Sequence, residues 1–244
     1  MCEMTYATCR MTLSSPEASE IKGPVEDAIV QCLAAAFGSG VWAQTPMPIG
    51  DAADPHSARG IVTQLGARAR VLVASTDSPG GPVRNDRFIG CVLGCVLDKD
   101  LIDLYRLNEF DAEAGDALLA YIGIEPANQG CRALPLSGSR FAVRPPPSDT
   151  AMEQRGESLA GVLFSRWLAL PNVAACPRVF VRTRSVLRPV VHMIKKNGFD
   201  YRGKFYLDFH GKRQHRLVFA RSNLPKTFPV MFNRTAALPQ QMMV

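Results

Sequence analysis

The chain of 244 residues is 47% hydrophobic and 20% charged. It has enough apolar side chains to bury a core, which excludes a disordered or collagen-like chain. No apolar run approaches the roughly 18 residues of a membrane-spanning helix. Residues 1–20 also lack the continuous apolar segment of a signal peptide. We expect a soluble, cytoplasmic protein.

The seven cysteines include no CxxC pair, which agrees with a reducing compartment. Cys91 and Cys95 lie four residues apart in the apolar run FIGCVLGCVLD, so a strand would place both on one face. A metal pair is conceivable at that spacing, but small buried hydrophobes are the simpler interpretation. None of the four histidines has the spacing of a zinc ligand relative to a cysteine. We therefore expect no metal.

Charge is distributed unevenly along the chain. Residues 171–244 contain 14 Lys and Arg but only Asp200 and Asp208, for a net charge of +12, whereas residues 1–170 carry a net charge of −6. A basic last third indicates a polyanionic ligand, either a nucleic acid or a phosphorylated cofactor. The charge does not choose between them.

The first half of the chain carries two helical and two extended patterns. Pro24 begins a run whose apolar residues recur at helical spacing, and Gly38 follows it. In chain order we predict a loosely held tail over 1–23, a helix over 24–37, a loop over 38–55, a helix over 56–68, and strands over 70–76 and 87–98. The Pro- and Gly-rich turn at 78–86 makes the two strands an antiparallel pair.

The second half contains one ambiguous segment. For residues 111–124 we favour a helix capped by Asp111, although the last part also fits a strand. Next we predict a strand over 131–145, a polar connection over 145–157, a helix over 158–170, a strand over 178–185, a helix over 186–198, and strands over 199–209 and 213–222. These elements predict a single domain over 24–222, followed by a C-terminal tail over 223–244.

Three short motifs in the second half resemble one known family. A strand ends at Val143-Arg144-Pro145, the segment Arg155-Gly156-Glu157-Ser158-Leu159-Ala160 opens a helix, and Gly198-Phe199 follows the next strand and helix. The GNAT superfamily of N-acetyltransferases has a V-x-P-like step, an R/Q-x-x-G-x-G/A loop and a G-F pair in that order. The chain resembles this family, which implies a mixed α/β sheet, mostly antiparallel, with a splayed parallel pair and flanking helices.

The resemblance implies that the loop holds the pyrophosphate of coenzyme A. A helix N-terminus offers unpaired backbone N–H groups and a partial positive charge, and small residues let the backbone approach the phosphates. The implied cofactor-binding residues are Val143, Arg155, Gly156, Glu157, Ser158, Leu159 and Ala160. The cofactor would lie between the strand ending at Val143 and strand 178–185, with the Val143 backbone receiving the acyl carbonyl. A loop at Gln129–Arg132 is the poorer alternative, because Pro135 and Gly138 exclude a helix directly after it.

The positions of the family's usual catalytic groups hold other residues here. Ile194 falls where a tyrosine commonly protonates the departing thiolate, Arg140 falls near the usual acid of the central strand, and Leu187 falls where an asparagine is frequent. Four side chains could substitute as acid or base, and each also has an ordinary structural interpretation: Tyr201, His192, Glu125 and Ser185. We assign no catalytic residue, since positioning alone supports acyl transfer.

The leading prediction is an acyl-CoA-dependent N-acyltransferase. It would transfer acetyl from acetyl-CoA to the primary amine of a small molecule, with a peptide as the other acceptor class. The acceptor site would be formed by the 38–55 loop and the C-terminal hairpin. Two alternatives stay open, a non-catalytic acyl-CoA-binding or sensing domain and a nucleic-acid-binding protein that uses the basic last third. A membrane partner is not expected, and a homodimer is left open.

Overall fold

The computed structural model describes residues 9–38, 46–76, 87–136, 140–144, 157–184, 187–209 and 212–223. The strands are β1 (Cys9–Ser14), β2 (Ala69–Thr76), β3 (Arg87–Val96), β4 (Ala117–Ile124), β5 (Arg132–Pro135), β6 (Arg140–Arg144), β7 (Glu157–Ser158), β8 (Arg178–Arg184), β9 (Asp200–Phe209) and β10 (Lys212–Ser222). The helices are α1 (Pro24–Phe37), α2 (Ala58–Leu65), α3 (Lys99–Leu104), α4 (Leu159–Leu168), α5 (Pro171–Ala174) and α6 (Arg188–Lys196).

One twisted sheet contains these ten strands, in the order β7-β5-β6-β1-β2-β3-β4-β8-β10-β9. The recorded pairs are antiparallel except for β4 and β8, which run parallel. Parallel neighbours need a long crossover, and the chain between β4 and β8 contains α4. The mixed α/β class, the mostly antiparallel sheet and its one described parallel pair are therefore as predicted.

The sheet is packed on both faces. Helices α1 and α2 cover one face through a cluster that includes Ile29, Leu33 and Leu65. Helix α4 covers the other face through Phe164 and Trp167, and Ile194 of α6 joins the same cluster. Burial on both faces explains why the central strands are almost continuously apolar.

Helix α4 is held close to the sheet at Gly94 of β3. A Cβ at Gly94 would lie 2.2 Å from Cζ2 of Trp167 and 2.6 Å from the Leu118 carbonyl oxygen. The indole Nε1–H of Trp167 donates to the Arg70 carbonyl oxygen at 2.9 Å. The missing side chain of Gly94 therefore lets the indole lie against β3, which sets the height of α4 above the sheet.

The structure corrects three predicted elements. Residues 9–14 belong to the segment predicted as a tail, yet they form β1 between β6 and β2. Residues 117–124 form β4 and not part of a helix, because β3 and β8 pair with this apolar segment from both sides. The predicted strand over 131–145 is an antiparallel pair, β5 and β6.

Several predicted segments lie outside the described residues. They are residues 1–8 of the N-terminal tail, residues 39–45 of the loop over 38–55, the turn at 78–86, residues 145–156 of the polar connection and residues 224–244 of the C-terminal tail. The proposed domain boundaries stay a prediction. Among the described helices, none has the length and apolar character needed to cross a bilayer.

Candidate functional site

The parallel strands β4 and β8 are paired over only part of their length. Their ladder runs from Ala117 opposite Val179 to Leu119 opposite Val181 and ends there. A bulge at Ala120 follows at once, since Leu93 and Gly94 of β3 face Tyr121 and Leu119 of β4. Bulges of this kind bend a strand away from its neighbour. Beyond Ala120, backbone groups of β4 that face β8 are therefore available to a ligand.

A cavity of about 670 Å³ lies where the two strands separate. We call it the central cavity. Its walls come from β4 and β8 and from helices α1, α2, α4 and α6. The lining is mainly apolar, with Phe37, Ile124, Phe164 and Ile194 among its members. A cavity of this kind, with few polar groups, has the usual composition of a small-molecule site.

The separated strands are not the ones that the sequence predicted. Val143 lies in β6, and strands β1, β2 and β3 stand between β6 and β4. The prediction that the Val143 strand faces β8 is therefore wrong. Strand β4 itself ends in Ile124-Glu125-Pro126, which is the same kind of step as Val143-Arg144-Pro145. The second copy of this pattern, Val143-Arg144-Pro145, follows β6, which lies beside β1 in the sheet.

The loop before α4 is assembled from two separate stretches of chain. Ser158 caps α4 by accepting a hydrogen bond from the Gly161 N–H at 3.1 Å. The Leu159 N–H donates to the Cys131 carbonyl oxygen at 3.0 Å. Residues Gln129-Gly130-Cys131 therefore meet Ser158-Leu159-Ala160 in space. Joined in this way they match the order R/Q-x-x-G-x-G/A, with Ser158 in the place of the first small residue.

This junction explains why sequence reasoning set the 129–132 segment aside. That reasoning required a helix directly after the loop in the sequence. In the structure the helix follows across a backbone pairing, because Arg132 of β5 faces Ser158 of β7. The two stretches are separated in the sequence by residues 132–157, which include β5 and β6. Gly130 has φ +82°, a left-handed conformation that glycine adopts without strain.

The predicted cofactor-binding residues fall into three groups. Arg155 and Gly156 lie outside the described residues. Ser158 caps α4 and Ala160 lines the central cavity, whereas Leu159 is buried and belongs to the core below the helix. Glu157 is exposed beside Gly161. The segment 158–160 thus opens α4 as predicted.

A second concave region lies outside the N-terminus of α4. We call it the basic cleft; its volume is about 960 Å³, and it lies between α4 and α6. Arg132, Arg188 and Lys196 line it together with Glu157, Ser158 and His192. Met193 lines both the cleft and the central cavity, so the two regions adjoin. Basic side chains around a helix N-terminus form a natural phosphate site.

Part of the mainly apolar wall of the central cavity carries polar groups. Arg182 of β8 donates through Nη1 to the Tyr105 carbonyl oxygen at 2.8 Å, and its guanidinium lies 4.5 Å from the centre of the Tyr105 ring. Burial lowers the pKa of Arg216 to about 10, and the neighbouring Arg182 and Arg184 act in the same direction. Burial also raises the pKa values of Tyr105 and Tyr121. Both phenols therefore stay protonated near neutral pH.

Sequence reasoning identified these polar groups only in part. It grouped Arg182 and Arg184 with Arg188 as residues that could bind the ribose phosphate of the cofactor or an acidic substrate, or else face the solvent, and it did not consider Tyr105, Tyr121 or Arg216. A usable signal was present in the alternation of β8, where Arg182 and Arg184 share one face of an otherwise apolar strand. The partner strand β10 places Arg216 directly opposite Arg184.

Of the four substitute acids and bases, the three that the structure describes do not line the central cavity. Tyr201 is 52% exposed on β9 and packs against Phe219. His192 lines the basic cleft, and the Glu125 carboxylate accepts a hydrogen bond from Asn128 Nδ2 at 2.8 Å. Ser185 lies outside the described residues.

The structure also shows where the three residues at the family's usual catalytic positions lie. Ile194 is fully buried in the wall of the central cavity, and Leu187 is nearby in the same wall. Arg140 is exposed at the start of β6 and is not on the splayed strand. On β4 the equivalent position, three residues before the Ile124 step, is Tyr121, which lines the central cavity.

Cys91 and Cys95 lie in the α1/α2 side of the core and are fully buried. Burial raises the pKa of Cys95 to about 12. The neighbouring Cys32 thiol and burial together raise the pKa of Cys91. Within the described part of the chain, no group of three or more His, Cys, Asp or Glu side chains could hold a metal ion.

Solved structures share this architecture at low sequence identity. The ribosomal-protein-S18-alanine N-acetyltransferase from Escherichia coli is 12% identical, with a TM-score of 0.51 over 89% of this chain and 98% of that chain. An acetyltransferase of the GNAT family from Streptococcus pneumoniae is 12% identical, with a TM-score of 0.47 over 87% and 99%. A putative acetyltransferase from Salmonella typhimurium, solved with acetyl-CoA, is 13% identical, with a TM-score of 0.49 over 90% and 97%.

Sequence comparison alone finds no relative: no protein-family model and no curated protein matches the chain. The structural likeness therefore concerns the fold. It agrees with the splayed parallel pair, the crossover through α4 and the helices on both faces of the sheet. The chain has the mixed α/β, GNAT-like fold that the sequence predicted, and the ribosomal-protein-S18-alanine N-acetyltransferase from Escherichia coli shares this fold.

Proposed function

We propose that the protein is an acyl-CoA-dependent N-acyltransferase that transfers acetyl from acetyl-CoA to the primary amine of a small molecule. The observation that carries the proposal is the contact between Leu159 and Cys131. It joins a phosphate-binding type of loop to the splay between β4 and β8 and so creates a path from the basic cleft into the central cavity. The N-acetyltransferase from Escherichia coli with the same fold supports this choice of reaction.

The two regions divide the coenzyme between them. The pyrophosphate would lie against the N-terminus of α4, near Ser158 and Ala160, where the helix dipole favours an anion. Arg132, Arg188 and Lys196 in the basic cleft would bind the phosphates. The pantetheine arm would follow β4 through the splay. We transfer the predicted backbone contact with the acyl carbonyl from Val143 to the end of β4 near Ile124.

The reaction needs little side-chain chemistry. The neutral amine attacks the thioester carbonyl carbon, the tetrahedral intermediate collapses, the C–S bond breaks, and the amine proton is lost. Among the described residues that line the central cavity there is no aspartate or glutamate, and the side chain there that could accept a proton is His56. Tyr105 and Tyr121 stay protonated and could only donate. We therefore infer that positioning dominates and that the amine proton passes to water or to the His56 imidazole.

A non-catalytic acyl-CoA-binding domain is the second candidate. The observation that favours it is the apolar Ile194 at the position of the family's usual proton donor. A nucleic-acid-binding role has less support, because several of the described basic residues of the last third do not belong to one outward surface. Arg182 and Arg216 line the central cavity, and Arg178 pairs with Asp116 at 2.8 Å.

Calorimetry with coenzyme A tests the binding site. In Arg188→Glu, reversal of a charge in the basic cleft should weaken coenzyme A binding by about tenfold or more. Lys204→Glu is the matched control, because Lys204 is exposed on β9 and does not line the cleft. Equal affinities in the two variants would refute the assignment of the cleft. Thiol release from acetyl-CoA in the presence of amines then separates the enzyme from the non-catalytic binder.

A further inference from the structure

Two arginines line the central cavity. They are Arg182 of β8 and Arg216 of β10, which we call the arginine pair. Arg182 lies against the rings of Tyr105 and Phe205 on the α1/α2 side of the core, whereas α4, which carries Ala160, packs on the other face of the sheet. The described lining contains no carboxylate, and no ion pair is recorded for either arginine within the described chain. Two cations thus border a mainly apolar cavity without a counterion among the described residues.

Hydrogen bonds satisfy this cluster only in part. Arg182 Nη1 donates to the Tyr105 carbonyl oxygen, but its Nε is buried without a hydrogen-bond partner among the described residues. The Tyr105 hydroxyl is likewise buried and without a described partner. Both residues line the central cavity. Buried polar groups are normally paired, so two such donors beside one cavity indicate that a ligand completes them.

The neighbouring groups do not compensate the charge. Tyr121 and Thr183 also line the central cavity, and both are neutral there. Arg184, directly opposite Arg216 in the β8–β10 ladder, adds a third cation close by. A guanidinium binds a planar or tetrahedral oxyanion through two parallel N–H donors. Burial strengthens that attraction because water screens it less.

We infer that the acceptor amine carries an anionic group, a carboxylate or a phosphate, which is bound by Arg182, Arg216 and the Tyr105 hydroxyl. The inference rests on the proposed function, since it names the acceptor class for the same cavity. The cavity of about 670 Å³ must also hold the pantetheine arm and the acyl group, so the acceptor is small. Polyamines and other cationic amines are poor acceptors, because they add positive charge beside the arginine pair.

Matched acceptors test the inference directly. With acetyl-CoA, thiol release is measured for α-amino acids against their α-amides and for phosphoethanolamine against ethanolamine. The best acidic acceptor should exceed its neutral partner in kcat/KM by about a hundredfold or more, since a site built for a polar group rejects the analogue that lacks it. Whether the amino acid or the phosphate ester is preferred identifies the anion. An amide or a polyamine that reacts as well as the acids would overturn the inference.

Substitution of Arg216 tests whether the arginine pair causes the preference for acidic acceptors. Arg216→Met should reduce the ratio between acidic and neutral acceptors to about tenfold or less, and Arg216→Lys should restore part of it. Arg202→Met is the matched control, because Arg202 is exposed on β9 and does not line the cavity. An unchanged ratio in folded Arg216→Met, with native circular dichroism, would refute the role of the arginine pair.

A binding measurement separates this inference from the proposed function. If coenzyme A does not bind in calorimetry, the proposed function fails. The anion site is then tested without coenzyme A, by the thermal shift that N-acetylglycine and O-phosphoethanolamine produce relative to N-acetylglycinamide and ethanolamine. Stabilisation by either anion alone, lost in Arg216→Met, supports the site. The absence of any anion-dependent shift refutes it.

Discussion

The basic cleft and the arginine pair carry similar charge in different surroundings. Arg188 and Lys196 are exposed at the mouth of the cleft, where water and salt screen them. Arg182 lies against the rings of Tyr105 and Phe205, and Arg182 and Arg216 are both half-buried in the mainly apolar wall of the central cavity. Exposed cations attract any polyanion and tolerate replacement, whereas enclosed cations interact strongly with one well-placed anion. The difference suits a cleft for a large charged cofactor and a cavity for a selected acceptor.

The largest expected effect tests whether the interior beside the arginine pair excludes water. Cys95 lies close enough to Arg182 for the two charges to interact, and burial raises the Cys95 pKa to about 12. Its thiolate is therefore scarce at pH 8, and we expect labelling by a thiol reagent to be about a thousandfold slower in the folded protein than in the denatured chain. Labelling should accelerate as the pH approaches 12.

Rapid labelling of Cys95 at pH 8 would show that water reaches this side of the sheet. Cys91 provides a second measurement on the same strand, since its pKa is also raised. Stoichiometric zinc in elemental analysis would contradict the interpretation of both thiols as core residues. In either case the contrast between an exposed cleft and an enclosed arginine pair would weaken.

The next largest effect is expected from a substitution that blocks the connection between the basic cleft and the central cavity. Ala160 opens α4 and lines the central cavity next to Gln129. Ala160→Trp should fill the junction of the two-part loop and reduce acetyl-CoA affinity about a hundredfold, because the backbone N–H groups of the helix become inaccessible. Ala174→Trp is the control, since Ala174 is exposed on α5. Calorimetry that finds equal affinities would contradict the two-part loop.

A smaller effect is expected from salt, which should weaken ligand binding in the basic cleft more than in the central cavity. Raising NaCl from about 50 to about 500 mM should weaken coenzyme A binding about tenfold, since the cleft is exposed and the Debye length falls. The KM for an acidic acceptor, measured at saturating acetyl-CoA, should change by about twofold or less because the arginine pair is enclosed. Equal salt dependence of both quantities would remove the distinction between the regions.

The smallest expected effect concerns the predicted acids and bases. Tyr201 is exposed on β9, and Glu125 is hydrogen bonded to Asn128. Tyr201→Phe should leave kcat within about twofold, and Glu125→Gln should reduce it tenfold or less, whereas loss of a true general acid or base costs about 10²–10⁴-fold. Steady-state kcat with unchanged coenzyme A affinity is the measurement. A thousandfold loss in either variant would reveal a proton-transfer group outside the cavity.

Apart from the short helix α5, the order of elements from 158 to 222 could be predicted from the sequence, because local patterns there agree with the final structure. Helix α4 has a serine cap and an apolar face, and both are local properties. Gly198 ends the α6 segment with φ +79°, as its position predicted. The last two strands alternate around a short turn in both the sequence and the structure.

The sheet near the site could not be predicted in the same way. The segment 117–124 is apolar enough for a helix or a strand, and pairing with both β3 and β8 decides for the strand. Residues 9–14 have a weak pattern, and their strand forms because β2 and β6 offer free edges on both sides. Such pairings join residues that are distant in the sequence, so no local window contains the information.

The sequence by itself determined the fold class and the start of α4 at Ser158–Ala160. The helix start is encoded within a few positions, because its serine cap and small residues are local features. Only the tertiary structure decided which strand faces β8 and which residues complete the loop. The β5–β7 pairing brings Cys131 to Leu159 across the intervening residues 132–157. The tertiary structure also decided that Arg182 and Arg216 line a cavity. Sheet register, and not residue type, sets the face of the sheet on which a side chain lies.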